Sequence, residues 1–181
     1  MSVNNKRKHL SNLIIAAVCL ALAMVLPFLT GQILQIGSAL SPMHIPVFLC
    51  AFFCGPYYAV IVGAVSPLLR FVLFGMPPIF PIGAAMCFEL AVYGLAAGLL
   101  YKTLPQKKGF VFASLIAAML CGRVVWGAAM AVLSGAAGNA FTWRMFLAGA
   151  FTNAIPGIIL HIILVPAVVI ALAPRLHKRN N

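Results

Sequence analysis

The sequence predicts an all-α membrane protein, a single bundle of six transmembrane helices with both termini in the cytoplasm. Three observations carry that reading. The chain is 64% hydrophobic and 7% charged over 181 residues, with a mean hydropathy of +1.12, more apolar surface than a soluble domain of this size can hide. From Leu10 to Leu69 there is no charged side chain, and the apolar runs are continuous rather than alternating, which argues against a β-barrel. The third observation is where the charge falls. Lys6, Arg7 and Lys8 precede the first run, Lys102, Lys107 and Lys108 share one connection, and Arg175, Lys178 and Arg179 close the chain, as cytoplasmic segments require. The net charge of +11 therefore reads as topology and contact with anionic head groups, and nucleic acid is not expected as a partner.

Residues 1–181 form one transmembrane domain, with basic cytoplasmic tails at 1–9 and 173–181. The first span runs from about Leu10 to Leu29, ending near Pro27 and Gly31. Its basic start and Ala21-Leu22-Ala23 resemble a signal peptide, but the apolar run continues to membrane length, so a retained span is expected. Ala17 and Ala21 form a small-residue pair on one face, open to close helix approach. After an uncharged connection at 30–42, the second span is short, roughly Met43 to Cys54. It is either completed from Ser38 onward or partly re-entrant. Gly55-Pro56 turns the chain into the third span, Tyr57 to Phe74, where Pro67 predicts a kink. Gly75-Met76-Pro77-Pro78 is the next turn. The fourth span opens at Pro81 and runs to Tyr101, with Gly94 and Gly98 as a GxxxG face. The fifth covers Phe110 to Leu133, the loop 134–143 follows, and the sixth runs from Arg144 to Leu172 with interruptions at Pro156 and Pro166. An N-terminus inside puts every basic segment inside and the uncharged connections 30–42, 75–80 and 134–143 outside.

Four charges are left over from topology: Arg70, Glu89, Arg123 and Arg144. All fall from mid-membrane outward. An arginine or acid at the centre of a lone helix costs roughly 2.5–3.5 kcal/mol on insertion scales, so partners or a pocket are expected. Arg123 pairs with Glu89, the chain's single acid, or holds a substrate carboxylate or hydroxyl, and both roles are compatible. Arg70 lines the pocket or snorkels to outer head groups, and Arg144 reads as an interface anchor. The arginine surplus favours an anionic ligand. His44, in SPMHIPVF, donates to a ligand or caps a loop carbonyl. Asn153 is a candidate polar contact. Tyr93 and Trp126 can pack on a ligand ring, Trp143 reads as belt, and His161 reads as an interhelical hydrogen bond. The five cysteines, Cys19, Cys50, Cys54, Cys87 and Cys121, lie in apolar runs without metal-ligand company and read as buried small hydrophobes. No metal or cofactor is expected. The sequence lacks aspartate, HExxH, GxSxG and a P-loop, so nothing points to an enzyme or to ATP binding by this chain.

The Ala17/Ala21 face, SPMHIPVFLCAFFCGPYYAVIVG, SPLLRFVLFGMPPIFP, FELAVYGLAAGLLY, GRVVWG and NAFTWRMFLAGAFTNAIPGIILHIILVP together resemble the substrate-binding (S) components of energy-coupling factor (ECF) vitamin transporters of bacteria, over almost the whole chain. Within that family the chain looks most similar to the group containing folate, pantothenate and hydroxymethylpyrimidine carriers. The arginine surplus makes pantothenate the first choice. The resemblance implies a multi-pass subunit of the bacterial plasma membrane that captures a vitamin from outside. A transmembrane coupling protein and two ATPase subunits supply the energy. Ala17 and Ala21 dock on the coupling protein, and the subunit tips in the membrane to release its ligand. Arg70, Glu89, Arg123, Asn153, His44, Tyr93 and Trp126 are the expected pocket, closed by the outer connections. Two other readings stay open: an autonomous small secondary transporter, and a non-transport membrane scaffold or assembly protein.

Overall fold

A computed structural model describes residues 3–30, 39–105 and 107–180. The α-helices described in full are, in chain order, α1 (Val3–Val25), α2 (His44–Cys54), α3 (Pro56–Phe74), α4 (Ala84–Thr103), α5 (Lys108–Ala136), α6 (Trp143–Ala150) and α7 (Ile155–Asn180). The architecture is the expected all-α membrane bundle. Among the described residues, five helical stretches are long and apolar enough to cross a bilayer: Asn5–Phe28, Pro56–Phe74, Ile79–Thr103, Lys108–Ala136 and Trp143–Leu172. The sixth element is α2, which is shorter.

At both ends helix runs past the expected spans, from Val3 and to Asn180, so the basic stretches at 3–9 and 173–180 are helical in backbone. Lysine and arginine are good helix formers, and no glycine or proline interrupts Val3–Leu10. The α1 helix stops at Val25, and a 3₁₀ turn, Leu26–Thr30, carries the chain over Pro27. Most of the 30–42 connection, Ser38 included, lies outside the described residues.

In the second span, Ala39 and Leu40 are helical, and the helix is interrupted before His44. Ser41 has φ 46°, which breaks any helix entering from its N-terminal side. With 11 residues, α2 is roughly 16 Å long, about half of the ~30 Å hydrocarbon core. It is apolar all round, and only Leu49 and Phe53 are less than buried, the mark of a helix inside a bundle. Its neighbours are α1, α3, α4 and α7.

The tightest packing joins α3 to α4. A Cβ at Gly94 would lie 2.6 Å from the Ala59 carbonyl carbon, one at Gly98 would lie 2.7 Å from Pro56 Cα, and one at Gly63 would run into the Leu90 carbonyl. The expected GxxxG face is therefore the contact with α3. Helical backbone persists through Pro67 to Phe74, and Ser66 Oγ donates to the Val62 carbonyl at 2.6 Å. Gly75 closes α3 in the left-handed conformation, and a kinked segment, Ile79–Gly83, extended at Phe80 (φ −125°, ψ 133°), leads into α4. The last span breaks at 151–154, with a 3₁₀ turn at Thr152–Ala154, whereas Pro166 sits within continuous helix. Pro156, in the first turn of α7, lacks the N–H that a continuing helix would use.

Replacing Gly94 with valine forces α3 and α4 apart. Overpacking of this kind costs about 1–3 kcal/mol, so Gly94→Val should lower the melting temperature of the detergent-solubilised protein by several degrees. Leu99→Val on the exposed face of the same helix should leave it unchanged.

Candidate functional site

The site is built around Glu89, the chain's single acidic residue, in the second turn of α4 and 1% exposed. One turn later on the same face, Tyr93 Oη donates to Glu89 Oε1 at 2.8 Å. From α5, Arg123 Nη1 approaches Glu89 Oε1 at 3.0 Å. Gly122 makes room for this arrangement, because a Cβ there would strike the Tyr93 ring. His44, the first residue of α2, brings Nε2 to 3.7 Å from Glu89 Oε2, too long for a hydrogen bond. The second carboxylate oxygen thus faces an imidazole it does not bond.

Aromatic rings wall this polar centre. The His44 and Tyr93 centroids are 5.4 Å apart, Phe48 and Tyr93 5.0 Å, and His44 and His161 5.8 Å. His161, buried in α7, donates Nε2–H to the Ser41 carbonyl at 3.3 Å, tying α7 to the turn before α2. Gly157 lies against the carbonyls of Ala39 and Leu40, with a Cβ position 2.6 Å and 3.0 Å from them, so α7 meets this turn at two levels.

Hydrogen-bonding capacity is left over. Both ring nitrogens of His44 and Nε of Arg123 are buried without a hydrogen-bond partner, although the two residues are only 3% and 9% exposed. A neutral imidazole carries one donor and one acceptor, and a guanidinium only donors. Unsatisfied polar atoms are rare inside proteins and cost about 1–3 kcal/mol each. The cluster therefore presents unused hydrogen-bonding capacity at Arg123 Nε and at the His44 imidazole, beside the Glu89 carboxylate. These are the elements of a polar recognition site between flat rings. Among the described residues, no three His, Cys, Asp or Glu side chains gather to hold a metal ion.

The remaining expected residues lie elsewhere. Arg70 is buried at the outer end of α3, where Nη1 donates to the Met24 carbonyl at 3.1 Å and the guanidinium sits 5.6 Å from the Phe28 ring and 5.4 Å from the Phe74 ring. It satisfies a carbonyl that the end of α1 leaves free. Trp126 is half-buried in α5 and packs on Phe141 and Phe146, at 6.0 and 6.5 Å between centroids. Asn153 is exposed in the break before α7, and Arg144 is exposed in α6. Ala17 and Ala21 are both exposed on α1. Cys19, Cys50 and Cys54 are buried, Cys87 is half-buried and Cys121 is exposed, so the last departs from the expected core role. Sequence reasoning left His161 and Phe48 out of the site. The available signal was the i, i+4 spacing of His44 and Phe48, which puts both on one face of α2.

A family model described as ECF transporter, substrate-specific component, matches residues 11–169. No curated protein and no solved structure matches.

The geometry predicts that Glu89 and Arg123 depend on each other. Glu89→Gln leaves the Arg123 charge buried and uncompensated, which costs about 3–5 kcal/mol. The double variant Glu89→Leu/Arg123→Met removes both charges and should recover most of that loss in a thermal-unfolding measurement.

Proposed function

The chain belongs to the substrate-specific components of ECF transporters, and from that premise we propose that it captures a small water-soluble vitamin from outside the bacterial plasma membrane, at the cluster of His44, Glu89, Tyr93 and Arg123. The observation that supports this most is the unused hydrogen-bonding capacity of His44 and Arg123 inside an apolar bundle. A purely structural ion pair would gain nothing from a neighbouring imidazole with both nitrogens unpartnered. A ligand with a polar edge and a flat body satisfies those atoms and packs between His44, Phe48 and Tyr93.

Pantothenate is the first compound to test, because Arg123 Nε–H and His44 offer N–H donors to a carboxylate. The arginine count alone is a weaker argument than it was on sequence. Arg70 is engaged by the Met24 carbonyl, Arg123 already has Glu89, and Arg144 is exposed. The folate and hydroxymethylpyrimidine type of ligand therefore belongs in the same panel. Energy comes from a separate module of a transmembrane coupling protein and two ATPase subunits. Ala17 and Ala21, exposed on α1, form the face on which the coupling protein docks, since small residues let a partner helix approach closely.

Titration calorimetry of the purified chain against a panel of water-soluble vitamins tests the binding role. One compound should bind saturably. His44→Phe and Arg123→Met should each weaken it at least tenfold, while Arg70→Met should leave its affinity unchanged. Binding of no compound, or binding indifferent to both cluster variants, would contradict the assignment. Docking is tested separately: Ala17→Trp and Ala21→Trp should abolish co-purification with the ATPase subunits and leave vitamin affinity intact.

A further inference from the structure

At the opposite end of α1 from Arg70, a groove of about 630 Å³ runs between α1 and the start of α3, lined by His9, Leu13, Leu20, Tyr57, Ile61 and Val62, with the small side chains of Ala16 and Ala17 as its floor. The volume lies within the roughly 300–1,000 Å³ of ligand sites. The lining is almost wholly apolar, and its polar groups are confined to one end. His9 packs edge-on against Tyr58 at 5.8 Å, and Tyr57 is 81% exposed. Along α1 the groove extends from residue 9 to residue 20, roughly 16 Å at the helical rise. That is about the depth of one leaflet of a ~30 Å hydrocarbon core.

Immediately beyond the polar end, Lys6, Arg7 and Lys8 are all exposed. Glu89, the only acid in the chain, belongs to the buried cluster, so no carboxylate competes for these cations. On the positive-inside orientation this end faces the cytoplasmic leaflet, which carries the anionic lipids. Any acyl chain can lie in an apolar groove without gaining hydrophobic energy, because it leaves hydrocarbon to enter hydrocarbon. Selectivity must come from the head group: Lys6, on the same face of α1 as His9 and Leu13, selects a negative one, while Arg7 and Lys8 add positive charge around the same helix end.

We propose that the α1–α3 groove is a binding site for an anionic phospholipid of the inner leaflet, with one acyl chain lying along Leu13, Leu20 and Ile61 and the phosphate held by Lys6, which shares the α1 face of His9 and Leu13 at i+3 and i+7 spacing. His9 and Tyr57 sit at head-group depth, where amphipathic rings are favoured. The site is independent of the vitamin site and does not rest on the transport reading. Because Ala17 forms part of its floor, a bound lipid borders the α1 face that carries Ala17 and Ala21.

Native mass spectrometry of the full chain, incubated with equal amounts of phosphatidylglycerol and phosphatidylcholine of identical chains, reads this directly. Phosphatidylglycerol adducts should exceed phosphatidylcholine adducts by about fivefold or more, the preference that one basic side chain near the head group gives. Raising ionic strength should erode that preference. Filling the groove with Leu13→Trp or Ile61→Trp, both at exposed positions, should reduce retained phosphatidylglycerol at least threefold. Equal retention of the two lipids by the unmodified chain would overturn the proposal, with no variant needed. A groove-filled variant that keeps its phosphatidylglycerol preference but loses the ATPase subunits would overturn it too, and assign the groove to a protein partner.

Discussion

The bundle depends on one buried ion pair. Glu89 and Arg123, 3.0 Å apart, hold α4 to α5 inside an environment where neither charge is tolerated alone. Their pairing forces what surrounds them. Tyr93 must stand one turn from Glu89 to share the carboxylate, and Gly122 must lack a side chain so that the tyrosine ring fits beside Arg123. A buried pair of this kind adds little net stability over apolar packing of the same shape. Its place at the centre of the molecule, with an unbonded histidine facing it, supports the recognition role proposed for the cluster.

The proposed recognition site in turn depends on a helix shorter than a membrane span. If α2 were full length, His44 would sit within regular helix and its backbone would be occupied. Instead the helix starts at His44, after a residue with positive φ. The turn leaves the Ser41 carbonyl for His161. Four helices, α2, α4, α5 and α7, thereby contribute side chains to one centre. The small-residue contacts between α3 and α4 set the position of Glu89, because Gly94 and Gly98 fix α4 against Ala59 and Pro56 about one and a half and two and a half turns from it.

Much of this was legible in the sequence. Continuous apolar runs and the segregation of basic residues determine a bundle and its orientation, because the bilayer imposes span length and charge placement on any chain. The pairing of Glu89 with Arg123 was legible for the same reason, a lone acid in hydrocarbon needing a cation. What could not be read were the choices among cations and the local breaks. Arg70 and Arg123 look alike as isolated charges, yet Arg70 finds a free carbonyl at the end of α1 while Arg123 finds Glu89. The break at Phe151 and the exposure of Asn153 depend on how α6 leans on α5 through Phe146 and Trp126, which no local pattern encodes. His161 joined the cluster because α7 reaches the turn before α2, a contact 120 residues apart in sequence.

The central claim is that His44, Glu89 and Arg123 form a vitamin site rather than a structural knot. The most direct measurement is hydrogen–deuterium exchange of the purified chain with and without each member of a water-soluble vitamin panel. One compound should protect peptides from α2, α4 and α5 around His44, Glu89 and Arg123 together, with that protection absent in His44→Phe. A panel in which no compound alters exchange in these three segments, or in which protection survives His44→Phe unchanged, would contradict it.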